Sequence, residues 1–119
     1  MTDKYTVATT NLMQDNTFFS ECCLERLSKI SHVEVNREFN FDDKVGIAKN
    51  FSVTDGKLEC EIQVVKDIGQ GFFVPSISDI DWEIKDGVKE YRSAKLTSIG
   101  FVKYPSDSTL EEVGGGYDG

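Results

Sequence analysis

Few side chains in this sequence are equipped for chemistry. There is one histidine, His32, three cysteines, Cys22, Cys23 and Cys60, and an adjacent acidic pair, Asp42-Asp43. A serine hydroxyl becomes a nucleophile only beside a base. His32 would therefore have to come within hydrogen-bond reach of Ser76 or Ser98 to serve as that base. The local sequence gives each of them a plainer reading. Ser76 follows Pro75 at a strand end or turn, and His32 sits half-exposed in a strand-like stretch. Asp42-Asp43 has the charge for a cation, but a calcium loop needs several oxygens at set spacing, and a solvated turn fits better. Cys22-Cys23 lacks the two-residue spacer of zinc and redox sites. An odd cysteine count with one adjacent pair suits a disulfide framework poorly. The three read as reduced, mostly buried small hydrophobes, made in a reducing compartment. Gly69-Gln70-Gly71 is followed by no Gly-Lys-Ser/Thr and reads as a tight turn rather than a phosphate loop. No cofactor and no metal is implied.

The elements that must position these residues follow from periodicity. Phe19, Cys23, Leu27 and Ile30 recur at helical spacing, which predicts a helix over 17–30 capped by Asn16 or Thr17, with Arg26 and Lys29 near its C-terminal end. The stretch 31–39 alternates and predicts a strand. Residues 45–53 and 57–65 predict two more, joined at Asp55-Gly56, a strong hairpin signal. On the second of these, Leu58, Cys60, Ile62 and Val64 share one face, and Glu59, Glu61 and Gln63 the other. Pro75 places the apolar run Phe72-Phe73-Val74-Pro75 on an edge or at a strand end. Residues 77–84 read as a strand, Asp86-Gly87 as a second hairpin turn, and 90–104 as a long strand or a bent pair, with a bulge at Gly100. The class is mainly β with one helix (α+β): a small antiparallel, barrel-like sheet of six or seven strands with the helix packed against it. Residues 1–113 form one domain and the glycine-rich 114–119 a mobile tail.

The 119 residues are one domain's worth, with 39% hydrophobic and 29% charged residues, as in globular proteins. The net charge of −8 and the lack of a Lys/Arg cluster disfavour nucleic acid and anionic membranes, and favour a basic protein surface. The start, Met1-Thr2-Asp3-Lys4-Tyr5, does not read as a signal peptide, and no window has the apolar length of a membrane span.

Several landmarks, taken in order, resemble the prohead (capsid maturation) protease family of tailed phages. Phe18-Phe19-Ser20-Glu21-Cys22-Cys23-Leu24 is similar to the family's early A-F-x-x-x-L helix. The segment Phe39-Asn40-Phe41-Asp42-Asp43-Lys44-Val45-Gly46 resembles its H-D-x-x-x-P-I-G strand and turn, and Asp55-Gly56-Lys57-Leu58 its D-x-G-L hairpin. Val74-Pro75-Ser76-Ile77-Ser78 resembles its L-S-I-G segment. The run from Leu96 to Asp107 resembles the closing L-W-E-V-S-L-V-T-F-P-A-N. The resemblance covers about residues 17–107.

The resemblance implies a serine peptidase fold whose nucleophile position falls on Ser76. The family's histidine position falls near Asp42 or Asp43, neither of which is an imidazole base, and its acidic position falls on Ser98. Losing a triad member costs several orders of magnitude in rate. The family's helix between hairpin and serine is also missing, since only residues 66–71 remain there. The expectation is a kept fold with lost chemistry: a non-catalytic, head-associated decoration or cement protein of a tailed-phage capsid. It would be synthesised in the host cytoplasm and dock on the major capsid protein or another basic protein surface as a symmetric multimer. A minimal serine endopeptidase and a small acidic inhibitor of a host factor are the alternatives. The aromatics Phe72, Phe73, Trp82, Phe101 and Tyr104 read as mostly core. Contact residues are expected in 69–75, at the Asp86-Gly87 turn and in mobile ends at 1–5 and 114–119: Phe72 or Phe73 facing outward, Asp86, and Tyr117.

Overall fold

In the computed structural model, which describes residues 3–66 and 68–113, seven strands and one helix follow in the order β1 Asp3–Thr9, β2 Thr17–Phe19, α1 Glu21–Leu27, β3 His32–Arg37, β4 Lys44–Thr54, β5 Lys57–Val64, β6 Phe72–Lys85 and β7 Val88–Val102. Alternation sets the strands. On β5, Leu58, Cys60 and Ile62 are buried while the residues between them are more open. Both predicted hairpin turns form. Asp55-Gly56 and Asp86-Gly87 take positive φ at both positions (52° and 72°; 55° and 78°), the type I′ pattern whose twist matches the flanking strands.

The helix is shorter than its periodicity predicts. Thr17–Phe19 is strand β2, and Ser20, rather than Asn16 or Thr17, caps α1: its Oγ accepts from the Cys23 amide at 3.1 Å. The residues ahead of the cap are a β-branched threonine and two phenylalanines, which favour a pleated surface. They pair with Lys89, Glu90 and Tyr91. Phe19 still reaches the core, its ring 5.3 Å from that of Tyr91. Glu21 in the first turn and Arg26 in the last suit the helix dipole.

The sheet runs β1-β5-β4-β3-β7, with β6 along the far side of β7. The mainly β, barrel-like class with one packed helix is what the chain adopts. Four pairings are antiparallel, and two, β2–β7 and β3–β7, are parallel. Those two arise because β2, α1 and β3 lie in succession along one side of β7 and run in its direction. The helix packs Cys23, Leu24 and Leu27 into a core shared with Val35, Val45, Leu58, Cys60, Ile62, Ile99 and Phe101. Val64, expected among the buried set, packs at its margin.

The sheet curls until β1 and β6 face each other across a gap closed by side chains, the Tyr5 and Phe73 rings meeting at 4.9 Å in a tilted contact. Residues 3–5, expected to be a mobile end, are instead the start of β1, paired with Ile62, Glu61 and Cys60. Residues 103–113 strap one end of this gap. Val113 exchanges two backbone hydrogen bonds with Gly71, and the Gln14 amide donates to the Ser106 carbonyl at 2.9 Å. The buried Asp107 carboxylate accepts from Thr9 Oγ1 at 2.6 Å and from the Thr109 amide at 2.9 Å. The tail 114–119, with Tyr117, lies outside the described residues.

Gly100 is not a bulge. It pairs in register with Asn36 and Val74, and the register shifts of this hairpin fall between Ser76/Ile77, Ser78/Asp81 and Asp81/Trp82. Glycine is there because the Phe39 ring lies on it, and a Cβ would run into that ring.

Candidate functional site

Ser76 and Ser98 stand directly opposite each other on β6 and β7. Ser76 Oγ is 3.1 Å from Thr97 Oγ1, which also donates to the Ser76 carbonyl at 2.9 Å. A threonine hydroxyl is not basic enough at neutral pH to activate a serine nucleophile. Ser98 is buried. His32 is exposed, its Nδ1 3.1 Å from Ser31 Oγ, and it lies on β3, with β7 between that strand and β6. The fold thus brings the two serines together and places the histidine apart from them.

The Asp42-Asp43 turn is held by protein groups. The Asp42 amide donates to Asn40 Oδ1 at 3.0 Å. Asp43 is bridged by Lys66 and by Arg37, the latter at 3.1 Å. The Lys66 hydrogen bond holds the Asp43 carboxyl below its usual range against an opposing desolvation, with the Lys66 and Arg37 charges adding to the lowering. Arg37 also donates to the Ile68 carbonyl at 3.1 Å, so the turn pins the chain that leads into β6. Among the described residues, no group of three or more His, Cys, Asp or Glu is placed to hold a metal ion. Of the cysteines, Cys23 and Cys60 are buried as expected, whereas Cys22 is exposed. Burial pushes the Cys23 thiol up to about 11 and the Cys60 thiol up to about 12. Both are core side chains.

Of the two adjacent phenylalanines, Phe73 is the inward one, 2% exposed and 5.2 Å from the Phe101 ring. That removes Phe73 as a contact residue. Phe72 is half-buried. The 69–75 stretch is held under the strap through Gly71 and Val113, so it is less open than the sequence implies. Asp86 is exposed at its turn.

Sequence reasoning missed the grouped apolar exposure on β6. Trp82 and Tyr104, expected in the core, are 48% and 91% exposed. Past Ser78, β6 and β7 continue as an arm, backed at Lys89–Tyr91 by the short β2 on the far side of β7, in which residues 79–87 are all exposed, on a molecule measuring 46 × 28 × 26 Å. Trp82 lies opposite Tyr91 and Ile84 opposite Lys89, and the Lys89 ammonium sits 4.4 Å from the Trp82 ring centre. These four share one face. On the other face Glu83 lies opposite Glu90, and Arg92 bridges both. Tyr91 also lines a cleft of about 290 Å³ at the base of the arm, together with Phe19, Phe39, Val74, Ile77 and Tyr104. The apolar face of the arm therefore runs into a concave apolar floor. The signal for it was in the sequence: three large apolar residues, Ile80, Trp82 and Ile84, alternate with three acids, Asp79, Asp81 and Glu83.

Comparison with protein-family models, with curated proteins and with solved structures found no match to this chain.

Proposed function

We propose that this protein is a non-catalytic interaction protein and, following the resemblance carried by its motifs, a decoration or cement protein of a tailed-phage capsid. The observation that supports this reading is the arm. Exposed large apolar side chains grouped on one element, rimmed by charge, mark association surfaces on soluble proteins, and exposed tryptophan is the residue type most enriched where binding energy concentrates. Ile80, Trp82 and Ile84 are 41%, 48% and 55% exposed on that one element. The surroundings of Ser76 favour the same reading over a peptidase, because its hydroxyl faces Thr97 rather than a base. The partner would be the major capsid protein or another basic protein surface, engaged in the assembled particle.

The test is a mass-spectrometric inventory of purified particles of the phage that encodes this sequence. Recovery of the chain at a fixed ratio to the major capsid protein is expected, with Ser76→Ala recovered equally. Absence from particles, or cleavage of capsid precursor that Ser76→Ala abolishes, would overturn the reading.

A further inference from the structure

Among the described residues β6 has one ladder partner, β7. Its other edge approaches β1 near Phe73 and is open along the arm. An open edge presents backbone N–H and C=O groups that can accept another strand. Proline and irregularity protect the first part: Pro75 lies there, Asp79 takes φ 51°, and the register shifts cluster between Ser76 and Trp82. From Trp82 to Lys85 the pairing with β7 is unbroken, so the edge there is regular.

The side chains along this edge define what can join it. A strand added beside the regular part of β6 meets Trp82 and Ile84 on one face and Glu83 on the other, with Asp79, Ile80 and Asp81 at the irregular near end. A second copy of β6 would set acid against acid, and like charges directly opposite on a sheet are destabilising. The same row favours an incoming strand that alternates lysine or arginine with apolar residues. Arg92 on β7 neutralises Glu83 from the inner side only, and the protein's net charge of −8 adds a field of the same sign.

We propose that the open edge of β6 between Trp82 and Lys85, flanked by Asp81, binds an extended basic–apolar alternating segment of another protein by strand addition. This deepens the reading above, since it rests on the protein acting through a partner surface and supplies that partner's chemistry.

The test uses the full chain and a short synthetic peptide alternating lysine and valine. The chain has a single tryptophan, so Trp82 emission reports on the arm directly, and amide exchange of residues 81–85 reports on strand pairing. Expected are saturable binding, a shift in Trp82 emission, slowed exchange at 81–85, and weakening at high salt. The double variant Asp81→Lys, Glu83→Lys should bind this peptide about tenfold more weakly, the size of two lost cross-strand charge pairs, and should gain binding to a glutamate–valine peptide. The milder Asp81→Asn, Glu83→Gln serves if the first fails to fold. Equal binding of a block-ordered peptide of the same composition, no binding, or pairing of the chain with itself would each overturn the inference. If the reversed-charge variant still occupies particles fully, the strand-addition site is wrong while the decoration reading stands. If the chain binds the peptide but is absent from particles, the decoration reading falls and the site stands.

Discussion

Asn36 is the residue that departs furthest from the usual rules of interiors. It is fully buried on β3 beside Gly100, and among the described residues neither its Oδ1 nor its Nδ2 has a hydrogen-bond partner. Leaving a buried polar group unpaired costs about 1–3 kcal/mol, and replacing it by an apolar group of similar shape is neutral or stabilising. Asn36→Leu should therefore raise the urea midpoint or leave it unchanged, and a clear drop would show that the amide is satisfied in solution. The buried thiols give a pH signature. Cys23 and Cys60 have folded-state pKa values raised to about 11 and about 12 from 9.0. Between these values the unfolded chain releases protons that the folded chain keeps, so stability is full below pH 9 and falls as pH rises toward 12. Thermal midpoints measured from pH 8 to 11 should decline, and Cys60→Ala should flatten the decline. In the native state a thiol reagent should modify Cys22 quickly and the other two slowly. Burial of Cys23 and Cys60 was legible from their place in periodic patterns. Exposure of Cys22 follows from its adjacency to Cys23, since neighbouring positions on a helix point in different directions.

Hairpins were the most legible elements, because two-residue Asp-Gly turns act locally and fix their own register. The helix was misplaced at its start because Phe19 fits a helical spacing and a strand equally well. What decides is pairing with Tyr91, 72 positions along the chain, which periodicity cannot register. Gly100 shows the same limit. Its meaning lies in the Phe39 ring, which follows two positive-φ positions, Glu38 and Phe39 itself (50° and 59°), that fold the turn back over β7. Gly100→Ala should destabilise the protein by about 1–3 kcal/mol through this overpacking, and Phe39→Ala in the same chain should relieve part of that loss, as a double-mutant cycle in urea would reveal. The arm escaped sequence reading for a related reason. Alternation of apolar and polar residues signals a strand with two unlike faces, and the core is the usual destination of the apolar one. Here that strand runs on beyond β3 and β4, backed by only β7 and the short β2, and its apolar face reaches solvent.

At the scale of the whole molecule, the strand content, the single helix and the curled sheet could be read from pattern alone, whereas its strand order could not. The candidate surface was only partly legible. Asp86 is exposed at the tip of the arm, but Phe73 is core, and the exposed aromatic on that arm is Trp82. One feature of the sheet governs how the protein comes into being. Strand β7, the last of the seven to leave the ribosome, is the seam that joins β2, β3 and β6. Until residue 102 has been made, β2 and one side of β3 have nothing to pair with, and the first half of the chain holds only the β1-β5-β4-β3 meander. Folding of the whole sheet must therefore wait until β7 has been made, and the nascent chain carries unpaired apolar strands meanwhile, the kind of exposed surface that is prone to aggregate. A chain stopped at residue 87 should show no cooperative unfolding transition by circular dichroism, and refolding of the complete chain should fall in the millisecond-to-second range typical of sheets built from distant pairings.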